Sequence, residues 1–98
     1  MDASKFETIC RKNGFNPLTP INTRHGRVLV AERYFNHHPE FEWPHWQTLW
    51  TFDRNGLDVA QKLYFKFGAA SQARRRDAAA KAAAAWVKDN QTVGRYKN

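Results

Sequence analysis

"RVLVAERYF", Arg27–Phe35, carries β-branched and aromatic residues and no helix or strand breaker, which is the composition of a β-strand. Successive strand side chains point to opposite sides, so Val28, Val30 and the aliphatic part of Glu32 share one face, and Leu29, Ala31 and Arg33 share the other. Such a strand needs neighbours, and the sequence offers two after it. "WQTLWTF" (Trp46–Phe52) alternates at Thr48, Trp50 and Phe52, although Trp46, Leu49 and Trp50 also fall on one helical face after Pro44. The strand is the preferred reading, because the hairpin-turn signal "DRNG" follows at once. "LDVAQKLYFKF" (Leu57–Phe67) alternates too. Leu57, Val59, Leu63, Phe65 and Phe67 point one way and Asp58, Ala60, Lys62, Tyr64 and Lys66 the other, with Gln61 the one mismatch and a helix the runner-up. "NHHPEFEWPH" (residues 36–45), with two prolines, links the first two strands as a long loop.

Helical signals lie at both ends. Ser4 and Glu7 have the spacing of a capping box, Phe6, Ile9 and Cys10 form an apolar stripe, Arg11 and Lys12 suit the C-terminal end, and Gly14 is the stop. "NPLTP" then makes an extended loop. At the other end, "ARRRDAAAKAAAAWVKDN" (Ala73–Asn90) is a helix by composition, with Ser71 as its cap. Ala79, Ala82, Ala83 and Trp86 form its packing side, while Arg74, Asp77, Lys81 and Lys88 face away, with Asp77 and Lys81 as an i,i+4 pair. The expected fold is α+β in the order α-β-β-β-α: a small antiparallel three-stranded sheet with an N-terminal and a C-terminal helix on one face. It makes a single domain over residues 1–98, with an ordered core over about 4–89 and a basic tail over 90–98.

Composition narrows the function. Cys10 is the only cysteine, so no intramolecular disulfide forms, and a reducing, cytoplasmic setting is expected. "MDASKFETIC" has no apolar run and does not read as a signal peptide, and no stretch is apolar enough to span a membrane. The alanine face of the last helix is too poor in bulky apolar groups to hold a membrane surface. The net charge of +7 is uneven: residues 1–59 balance seven Lys/Arg against seven Asp/Glu, and residues 60–98 hold nine against two. The C-terminal end is therefore suited to an acidic partner.

Within that end, Arg74, Arg75 and Arg76 occupy the first turns of a helix, where the dipole disfavours cations. A phosphate on the backbone N–H groups would reverse that cost, so these three residues and Lys81 are the candidate contacts to nucleic acid. Arg75 and Arg76 would project past the end of the sheet. His37, His38 and His45 with Glu40 and Glu42 lack metal-ligand spacing, since adjacent histidines on an extended chain point apart. No glycine-rich phosphate loop or nucleophile elbow accompanies them, so neither a metal, a cofactor nor catalysis is expected. Trp50 reads as core. Trp43 and Trp46, in the proline-bearing loop, read as exposed anchors for a protein or stacking platforms for bases.

The element order and the basic, alanine-rich last helix resemble the double-stranded RNA-binding domain. "RRDAAAKAA" (Arg75–Ala83) is similar to the family's KKxAKxxAA pattern, with Arg75 and Arg76 for the first two lysines and Ala79 where the third would stand. "HHPEF" (His37–Phe41) looks like the family's histidine-bearing loop, and Glu7 and Thr8 stand on the first helix, which in the family touches a second minor groove. The resemblance implies recognition of A-form duplex, RNA over DNA, through phosphates and 2′-hydroxyls, with His37 and His38 at the minor groove. The competing expectation is a small inhibitor or adaptor of the viral or mobile-element kind. It would use the tryptophan loop and basic helix against an acidic protein surface, such as that of a nucleic-acid enzyme.

Overall fold

The computed structural model describes residues 1–35, 44–54 and 61–97, with the side chains of the last helix described through Asn90. The elements in chain order are α1 (Ala3–Lys12), β1 (Asn16–Pro17), β2 (Ile21–Thr23), β3 (Gly26–Phe35), β4 (His45–Phe52), β5 (Gln61–Lys66) and α2 (Gln72–Lys97). The class is α+β, but the antiparallel sheet has five strands rather than three. The β3–β4–β5 meander is the expected one, with Val30 opposite Trp50 and Thr48 opposite Leu63. The additions come from "NPLTPINT", where β1 and β2 both pair along the other edge of β3. Proline is tolerated there because an edge strand leaves N–H groups without ladder partners. The alternation reading of β4 holds, and it places Trp46 on a strand instead of in a loop. Residues 57–60 of the third expected strand and the "NG" of the hairpin turn lie outside the described residues.

The helices cover opposite faces of the sheet, not one. Phe6 and Cys10 of α1 pack with Phe15, Leu29, Ala31 and Leu49. Ala79 and Ala83 of α2 pack with Val28, Val30, Trp50 and Phe52. The reason lies in β3, whose burial is continuous from Val28 to Glu32. A strand apolar on both sides loses contact with water only when both sides are covered. Trp86 sits at the margin of the second core, half-buried against Phe52 at 5.9 Å between ring centroids. Small alanines let α2 approach the sheet closely, so Trp50 and Phe52 supply most of the bulk beneath it.

Helix ends follow local chemistry. Asp2, not Ser4, caps α1: its Oδ1 accepts the Lys5 N–H at 2.8 Å. Glu7 pairs with Arg11 instead of closing a box. Gly14, at φ +78°, ends the helix as expected. The Phe15 N–H donates to the Cys10 carbonyl and the Gly14 N–H to that of Arg11, which is a Schellman closure. Ser71 caps α2 by accepting the Arg74 N–H at 3.2 Å. This helix does not stop at Asn90, whose side chain donates back to the Trp86 carbonyl, and it runs on to Lys97. Among the described residues no helix is long and apolar enough to cross a membrane.

Candidate nucleic-acid interface

The three arginines at the start of α2 have three different fates. Arg75 is buried, and its Nε donates to Glu32 Oε2 at 2.7 Å while Nη2 reaches Oε1 at 3.3 Å. Its Nη1 donates to the Ala70 carbonyl at 2.6 Å, and its guanidinium lies 4.0 Å from the centre of the Trp46 ring. Gln72 Nε2 adds a third donor to Glu32, at 3.0 Å. Arg75 is thus an internal residue that fastens the first turn of α2 to β3 and does not project past the sheet. Arg76 donates to the carbonyls of Thr19 (2.7 Å) and Pro20 (2.9 Å), which lie between β1 and β2. It closes the break in the edge strand. Only Arg74 is exposed. The dipole cost noted above is thus met largely inside the protein, because Glu32 and these carbonyls surround the cations.

Lys81 is exposed two turns along the same helix face as Arg74 and lies 3.2 Å from Asp77. Arg74, Asp77, Ala78 and Lys81 border a shallow groove whose other wall is Phe65 of β5. The exposed Asp77–Lys81 pair restrains neither side chain strongly.

Register explains what lies beside that groove. Glu32 meets the first turn of α2, so the next row of the same sheet face, Tyr34 opposite Trp46 opposite Phe65, lies beyond the helix start. Trp46 is half-buried, Tyr34 is 41% exposed and Phe67, just past β5, is 57% exposed. Tyr34 stands 5.3 Å from Trp46 and 5.1 Å from Phe67, both tilted by about fifty degrees. Phe67, placed by alternation on the apolar side of the expected strand, lies just past it and extends an aromatic patch left open by α2. Sequence reasoning assigned no role to Tyr34 or Phe67. The available signal was their position at strand ends on the face shared with Trp46.

The opposite face is closed differently. Arg33 lies between the rings of Phe15 (4.5 Å) and Phe35 (4.1 Å) and donates to Gln47 and to the Asn13 carbonyl. Burial lowers its pKa from the usual arginine value. His45 is buried on this side, stacked on Phe35 at 5.5 Å. Glu7 and Thr8 are exposed on α1, on the same side and away from α2. His37, His38 and Trp43 lie outside the described residues, as do Glu40 and Glu42. Among the described residues no three His, Cys, Asp or Glu side chains gather as metal ligands.

No family model matches the chain, and neither a curated protein nor a solved structure is significantly similar to it.

Proposed function

We propose that the protein is a non-catalytic nucleic-acid-binding module whose contact surface is the start of α2 and the sheet face beside it. The observation that carries this reading is the exposed Arg74 at the rim of a groove walled by Phe65, whose row across the sheet runs through Trp46 to the open ring of Tyr34, itself against Phe67. A cation for phosphates beside aromatic faces for bases is the pairing such surfaces use. The surplus of +7 over residues 60–98 supports it, since phosphate attraction supplies most sequence-independent affinity. Arg75 and Arg76 serve by holding α2 in place, and Arg74 and Lys81 meet the ligand.

The test is fluorescence polarisation with labelled RNA and DNA at two salt concentrations. Affinity should fall as salt rises, and Arg74→Glu should weaken binding and flatten the salt dependence by roughly one phosphate contact, with the circular dichroism spectrum unchanged. Absence of binding to every nucleic acid at low salt would refute the reading. Retention of one acidic protein after nuclease treatment would then replace it with the adaptor.

A further inference from the structure

We infer that the ligand of this surface is single-stranded nucleic acid, bound by stacking of its bases on Phe67 and Tyr34. This rests on the nucleic-acid reading above and narrows it. Tyr34 lies on one face of the sheet and Phe67 just past the end of β5, and their rings are 5.1 Å apart between centroids and tilted by 53°. Each is too exposed to serve mainly as core, with Phe67 at 57% and Tyr34 at 41%. Trp46 is the backing of the patch, because the Arg75 guanidinium already lies over its ring. A duplex hides the faces of its bases in its own stack and offers a protein phosphates, sugars and edges. Exposed rings gain little from such a surface. An unpaired strand presents base faces, which every base has, so the contact tolerates any sequence.

Charge selects this occupant over an apolar protein segment. Arg74 borders the groove with Phe65, the cross-strand partner of Trp46, so a cation stands beside the aromatic row where a strand's phosphates would run. Of the acidic side chains described on this face, Glu32 is buried against Arg75 and Gln72, and Asp77 stands beside Lys81 at 3.2 Å, so its charge is offset in place. A strand leaving the rings along the groove from Phe65 past Arg74 therefore meets, among the described residues, a free-standing cation before the Asp77–Lys81 pair.

The experiment is a competition titration of the full chain with a short uridine oligonucleotide, its thymidine counterpart and an RNA duplex of equal length. The proteins are the parent, Phe67→Ala and Phe67→Trp. Both single strands should bind more tightly than the duplex. Phe67→Ala should lose roughly 5- to 150-fold in single-strand affinity, the range for one base–aromatic stack, and Phe67→Trp should keep it. The exposure of Phe67 leaves folding intact, as a matching melting curve would verify. A duplex bound as tightly as the single strands, or single-strand affinity unchanged in Phe67→Ala, would overturn the stacking inference while nucleic-acid binding stood. Failure of all three probes to bind at low salt would overturn both.

Discussion

Replacing Arg75 by alanine separates an internal arginine from a ligand-binding one. Glu32 and Arg75 side chains are 4% and 6% exposed and meet at 2.7 Å. The substitution removes two of the three donors that the described residues give the Glu32 carboxylate and leaves Gln72. It also strips the Ala70 carbonyl of its donor and Trp46 of its cation. Breaking a buried pair on one side costs about 3–5 kcal/mol, because the remaining charge stays desolvated. For a domain of this size that lowers Tm by roughly 12–40 °C, at about 4–8 °C per kcal/mol. Arg74→Ala, at an exposed site one residue away, should shift stability by less than about 0.5 kcal/mol. Thermal and urea denaturation followed by circular dichroism would measure both. Arg75→Met combined with Glu32→Leu should recover most of the loss, since apolar groups of similar volume remove both buried charges together. A melting temperature of Arg75→Ala within a few degrees of the parent would refute the reasoning and mean that Glu32 is hydrated. The same logic governs charge reversal: Arg75→Glu would place two carboxylates together in the interior, so its binding loss would accompany unfolding.

Trp50→Ala should cost about 3–5 kcal/mol in urea denaturation, as for a fully buried large aromatic, and Trp86→Ala clearly less, because Trp86 is only half-buried. Gly14→Ala should destabilise by roughly 1–2 kcal/mol through backbone conformation alone, since φ is +78° and an added Cβ would meet the Arg33 side chain at ordinary distances of 3.7 and 4.0 Å. Burial, aided by the nearby Glu7 charge, raises the Cys10 thiol from 9.0 to about 11, so iodoacetamide should modify it only after unfolding. The unfolded chain releases that proton before the folded one does. Stability from this group is therefore whole below pH 9 and declines from there towards 11, by up to about 1.4 kcal/mol per pH unit, and Cys10→Ala should flatten that limb.

Local elements were readable because their causes are local. Gly14 stops α1, Ser71 caps α2 and alternation makes Trp46–Phe52 a strand, all through neighbours within a few residues. Val28–Ala31 is apolar on both faces, a signal that the expectation of both helices on one face passed over, and alternation alone does not say which helix takes which face. Packing decided that, and with it the meaning of the arginines. Arg75 finds Glu32 across 43 residues, and Arg76 finds the Thr19 carbonyl across 57, separations over which no propensity or periodicity operates. The open rings of Tyr34 and Phe67 follow from the same docking: the first turn of α2 lands on Glu32, and the row beyond it stays uncovered. Short-range sterics and hydrogen bonding write the elements into neighbouring residues, whereas burial of a charge or exposure of a ring depends on which distant surface arrives to cover it.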